Sequence, residues 1–76
     1  MTKHELSIIL QDMVNKGIKN KNKYVQYHLF GIIYANELKI VNATIEEIVE
    51  DAGIPISISS EIRKGIKLSQ FVKLNN

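Results

Sequence analysis

Five side chains in one short stretch have the types and spacing to meet the edges of nucleic-acid bases: Ser57, Ser60, Glu61, Arg63 and Lys64. If residues 57–65 are helical, at 100° per residue, Ser57, Ser60, Arg63 and Lys64 turn away from the apolar side carrying Ile58, Ile62 and Ile66. Small hydroxyls at the start of a helix allow close approach to bases or phosphates, and the N-terminal N–H groups favour an anion there. Arg63 or Lys64 has the reach and charge for guanine or for the backbone. Glu61 lies on the flank of this face, where it either accepts from a cytosine amino group or, as a first-turn acid, caps the helix.

Further cations could hold phosphates around such a face. Lys16, Lys19, Lys21 and Lys23 form an acid-free run, and Arg63, Lys64, Lys67 and Lys73 outweigh Glu61 in the last sixteen residues. Between these basic patches lie Glu46, Glu47, Glu50 and Asp51, with no base among them. Each neutralised phosphate releases condensed counterions, so clusters of this size suit a polyanion, although a lysine-rich loop also serves plain solubility. Tyr24, Tyr27 and Tyr34 have the chemistry to stack on bases, but their helical spacing beside Leu and Ile places them in the core and at its rim.

Helices must position these groups. Thr2 with Glu5 forms a capping box, and Leu6, Ile9, Leu10 and Met13 give an amphipathic helix ending near Gly17. A polar linker over 18–23 leads to a second helical pattern from about Lys23 to Lys39. Its apolar residues fall on more than one stripe, which marks a central helix with neighbours around it, and Gly31 in its middle marks a close crossing. Thr44 with Glu47 opens a third helix, with Ile45, Ile48, Val49 and Ala52 facing inward and Gly53 as its stop. After Pro55 the next helix begins at Ser57 or Ile58, with Ser57 as a good N-cap, and stops at Gly65. Two short helices joined by a glycine-containing turn of about 3–4 residues are the helix-turn-helix pattern. The last segment, with Leu68, Ser69, Phe71, Val72 and Leu74, is either a final helical turn or a short strand; exposed, it would be a dimerisation element. The expected fold is therefore all-α, a compact four- to five-helix domain spanning residues 1–76 and containing a helix-turn-helix.

From Ala52 through Gly53-Ile54-Pro55-Ile56-Ser57-Ile58-Ser59-Ser60-Glu61-Ile62-Arg63-Lys64 to Gly65, the chain resembles the helix-turn-helix of phage Cro-type and lactose-repressor-type DNA-binding domains. The resemblance covers residues 44–65 and implies that Ile48, Ala52, Ile54 and Ile62 are buried, while Ser57, Ser60, Glu61 and Lys64 face the major groove. Ser59 departs from the pattern, because those families carry Val or Ile there. The pair HLFGIIYANEL and EIRKGIKL is also similar to small DNA-binding domains associated with restriction-modification proteins.

Composition bounds the rest. With 76 residues, 45% hydrophobic and 24% charged, the chain fits one globular domain, too small for an ordinary enzyme cleft. It has no cysteine, hence no disulfide, no thiolate metal site and no cysteine nucleophile, and its two histidines stand apart. His28 reads as a core or boundary residue, with no metal or other cofactor expected. No apolar run approaches the roughly 20 residues that cross a bilayer, and the N-terminus lacks a secretory signal, so a cytoplasmic location is expected. A core this small gains from a second subunit. The leading expectation is a sequence-specific double-stranded DNA binder, a small homodimeric transcriptional regulator with helix 57–65 in the major groove and Lys16, Lys19, Lys21, Lys23, Lys67 and Lys73 on phosphates. The alternative is a helical protein-interaction module, an antagonist or antitoxin-like partner that leaves DNA alone, which the acidic run at 46–51 favours.

Overall fold

Two threonines, each three residues ahead of a glutamate, start two of the helices as their spacing requires. The computed structural model describes residues 1–72. Among these described residues five α-helices follow in order: α1 (Lys3–Asn20), α2 (Lys23–Ile33), α3 (Ala35–Ile40), α4 (Ile45–Asp51) and α5 (Ser59–Leu68). Thr2 Oγ1 accepts from the Glu5 N–H at 3.1 Å while the Glu5 carboxylate accepts from the Thr2 N–H at 2.9 Å. Thr44 and Glu47 repeat the arrangement at 3.1 and 2.8 Å. Both boxes satisfy N–H groups that a helix start otherwise leaves unpaired.

Leu6, Leu10 and Val14 of α1 meet Tyr27 and Phe30 of α2, Leu38 of α3, Ile48 and Val49 of α4 and Ile62 of α5 in one apolar cluster. Each fully buried Leu, Ile or Phe in it contributes about 1.5–3 kcal/mol. Ser7 reaches the cluster's edge, its hydroxyl 2.9 Å from the Lys3 carbonyl and 3.2 Å from that of Ile48, the second contact joining α1 to α4.

Helix ends differ from the sequence reading wherever tertiary contact decides. α1 does not end near Gly17 but continues to Asn20, and Lys21 takes the left-handed conformation at φ 60°. Gly17 is instead a contact point, since a Cβ there would lie 2.8 Å from Gln26 Cγ and 2.9 Å from Lys23 Cα. The expected linker over 18–23 therefore shrinks to Lys21 and Asn22. The expected helix 23–39 is two helices, interrupted at Tyr34, whose φ and ψ of −105° and 20° leave the helical range. The break follows a Phe30–Tyr34 ring contact at 5.4 Å and precedes the buried Ala35 and Leu38.

Gly31 marks a close crossing, as its position in mid-helix implied. It lies against the backbone of α5, where an added Cβ would be 2.8 Å from Ile66 N and 2.9 Å from Gly65 Cα. Gly65 is the other half of this contact and not a helix stop: α5 runs on to Leu68, with Ser69 as its C-cap. Neither a strand nor a separate helix forms at 69–72, and Leu74 lies outside the described residues.

Gly53, at φ 75°, ends α4 in a turn that a left-handed residue must make. After Pro55 comes a 3₁₀ turn at Ile56–Ile58, and α5 proper begins at Ser59. Ser57 is accordingly not an N-cap, and no side chain among the described residues caps α5. Ser59 is 3% exposed, and Ile58 packs on the core beside it. The Ser59 hydroxyl is buried without a hydrogen-bond partner among the described residues. An unpaired buried hydroxyl costs about 1–3 kcal/mol. Ser59→Ala removes it with almost no loss of volume and is expected to stabilise the protein by about 1 kcal/mol, raising the thermal midpoint by roughly 4–8 °C. A melt of Ser59→Ala at or below the parent's midpoint contradicts this account of the site.

Candidate nucleic-acid interface

Four residues, Ala52 to Pro55, separate α4 from the 3₁₀ turn that leads into α5, so residues 44–68 form a helix, a glycine turn and a second helix. α5 presents two distinct sides. Ser59, Ile62 and Gly65 are buried, whereas Ser60, Arg63 and Lys64 are exposed, as is Ser57 in the preceding turn. The i, i+3 and i, i+4 spacing of the exposed group keeps it on one strip of the helix. This strip is the face that the residue spacing selects.

Its charges are engaged within the protein. The Arg63 guanidinium donates through Nη1 to Glu46 Oε2 at 2.6 Å and through Nη2 to Glu46 Oε1 at 2.7 Å, a two-pronged bond from α5 back to α4. Glu61 accepts from His28 Nε2 at 2.9 Å and from Lys64 Nζ at 3.1 Å, so it links α5 to α2. The cap reading of Glu61 therefore gives way to a side-chain bridge. The Ser60 hydroxyl donates to the Ser57 carbonyl at 3.0 Å. Spacing showed which way these side chains turn, but not the partners Glu46 and His28, which lie 17 and 33 residues from Arg63 and Glu61.

These bonds shift the acids' affinity for protons. Arg63 hydrogen-bonding holds the Glu46 carboxyl below its ordinary value, and Glu46 in turn raises the Arg63 guanidinium. The hydrogen bond from His28, then that from Lys64, lowers Glu61, and the Thr44 N–H lowers Glu47. An acid lowered on folding contributes stability above its unfolded value, here about 4.5, and loses it as pH falls through the folded value. The thermal midpoint is thus expected to fall as pH drops below about 5, and only modestly from pairs at or near the surface. Glu61→Gln should flatten part of that drop; an unchanged pH profile would remove Glu61 from it.

The proposed phosphate ligands fall in two regions. Lys16, Lys19, Lys21 and Lys23 are exposed at the end of α1 and the start of α2, with Lys16 bonded to Asp12 at 3.1 Å. Lys67 is exposed one turn beyond Lys64, and these two lysines with Leu68 and Phe71 line a shallow apolar concavity. Lys73 lies outside the described residues. No helix among the described residues is long and apolar enough to cross a membrane.

A family model described as an HTH-like domain matches residues 2–75. Comparison with curated proteins and with solved structures returns no match.

Proposed function

The chain belongs to the HTH-like domain family, and from that premise we propose that it is a sequence-specific binder of double-stranded DNA acting as a homodimeric transcriptional regulator. Residues 57–65 enter the major groove, and Ser57, Ser60, Arg63 and Lys64 approach base edges, with Glu61 at the flank. One observation carries this reading: the hydroxyl-and-cation strip of α5 is exposed while its opposite side is buried. The likeness of residues 52–65 to the Cro-type and lactose-repressor-type motifs supports the same orientation. Lys16, Lys19, Lys21, Lys23, Lys67 and Lys73 supply phosphate contacts. Leu68, Phe71 and Val72, all exposed beyond or at the end of α5, supply an apolar contact between two copies. The activity is binding and not catalysis, in the cytoplasm.

Duplex binding tests the reading through its salt dependence. About four to six phosphate contacts per subunit give a log–log slope near −0.9 per contact. A random-sequence duplex should therefore be retarded in gels at low salt and released as salt rises. Absence of any shift at low salt would favour the second reading, a protein-interaction module. The observation behind that second reading is that Arg63 and Lys64 already have acidic partners, Glu46 and Glu61.

A further inference from the structure

We infer that Arg63 reads a guanine and that Glu46 is its positioning residue; the inference rests on the duplex-binding reading above. The geometry of the Arg63–Glu46 bond points to it. A guanidinium has five N–H donors in a rigid plane, and Glu46 takes one from each terminal nitrogen, at 2.6 and 2.7 Å. That end-on grip leaves the adjacent edge, Nε–H with the outer Nη2–H, as two parallel donors that hydrogen-bond to nothing among the described residues. Two parallel donors on one edge match guanine O6 and N7, the acceptor pair that guanine shows in the major groove.

The surroundings suit such an edge. The Arg63 side chain is 51% exposed and that of Glu46 39%, so the pair sits at the surface of the motif and not beneath it. Helical side chains lean toward the N-terminus, over the turn that carries the small Ser60. Glu46 belongs to α4, a different helix from Arg63, so the bond fixes the guanidinium against the motif's first helix. An arginine held before contact loses less side-chain entropy on reaching its base. Lys64 offers no equivalent edge, because its ammonium is a point donor already turned to Glu61. Glu46 also places a negative charge beside the groove, which opposes indiscriminate phosphate binding. Removing that charge should therefore strengthen non-specific binding while weakening base choice. A merely structural tie predicts the opposite for non-specific binding, since a loosened motif binds every duplex less well.

The experiment selects binders from a pool of duplexes with a randomised central segment, using the full chain, and then measures affinities by fluorescence anisotropy at fixed salt. The parent is expected to enrich a guanine that it prefers to other bases at that position by roughly tenfold. Arg63→Ala should lose that preference at that position alone. Glu46→Gln should reduce it to about twofold or less while duplexes lacking the guanine bind as well as or better than they bind the parent. Circular dichroism confirms that both variants are folded. If Glu46→Gln weakens all duplexes equally and keeps the guanine preference, Glu46 is only a structural tie and the inference fails. It fails too if the pool shows no guanine sensitive to Arg63. A parent that retains no duplex at low salt overturns the binding reading and this inference together.

Discussion

Gly31→Ala and Gly65→Ala should each lower the thermal midpoint by about 8–16 °C, although both substitutions put a better helix former inside a helix. Intrinsic propensity alone favours Ala over Gly by roughly 1 kcal/mol. Against this stands the contact between α2 and α5. A Cβ on Gly31 would press on the Ile62 carbonyl oxygen, Ile66 N and Gly65 Cα; one on Gly65 would press on the His28 carbonyl and on Gly31 Cα at 3.1 Å. All of these are backbone atoms, so no rotamer change relieves the clash and α5 must move as a rod. Such overpacking costs about 3 kcal/mol, the upper end of its usual range, which leaves a net loss near 2 kcal/mol. That loss, at roughly 4–8 °C per kcal/mol for a domain of this size, sets the expected drop. The double variant should lose less than the two single losses combined, because one displacement of α5 serves both methyl groups. Calorimetry checks this. A midpoint unchanged or raised in either single variant would mean that the helices do not touch at this pair.

The same glycines show what a sequence can and cannot reveal. Gly31 stands in the middle of a helical pattern, so its cost to the helix implies a compensating contact, and the structure supplies it. Gly17 and Gly65 each come three residues after an apolar residue of a helical pattern, Val14 and Ile62, where the local rule makes glycine a helix stop. Both lie inside helices instead, because the neighbour that needs their missing side chains comes from a distant stretch: Lys23 and Gln26 for Gly17, His28 and Gly31 for Gly65. The two capping boxes and the turn at Gly53 were legible because the groups involved lie within a few residues of one another. The exposed strip of α5 was legible too, since spacing alone fixes which side chains oppose Ile62. Its ion pairing was not. Helix periodicity places Glu46 and Arg63 on their own helices but says nothing of how the turn at 52–55 brings them together.

Ser60→Glu combined with Lys64→Glu should weaken duplex binding at least about 100-fold while leaving the helical circular dichroism intact. Both side chains are exposed, and Lys64 has one partner, Glu61, in a surface pair worth at most about 1 kcal/mol. The fold therefore has little to lose. The proposed interface loses one cation and gains two anions beside phosphates. Loss of a single base or phosphate contact typically costs about 1–3 kcal/mol, and each new carboxylate adds repulsion that no counterion release offsets. A control separates contact from overall charge: Asn36→Glu with Lys39→Glu makes the same change in net charge on exposed positions of α3. If α5 enters the groove, the α3 pair should weaken binding only slightly, and less as salt is raised, because charges beyond a screening length interact weakly. Equal losses from the two pairs would mean that net charge, and not the 57–65 strip, governs attraction to DNA. Binding that survives the α5 changes would move the contact surface elsewhere, with the lysines at 16–23 as the next to test.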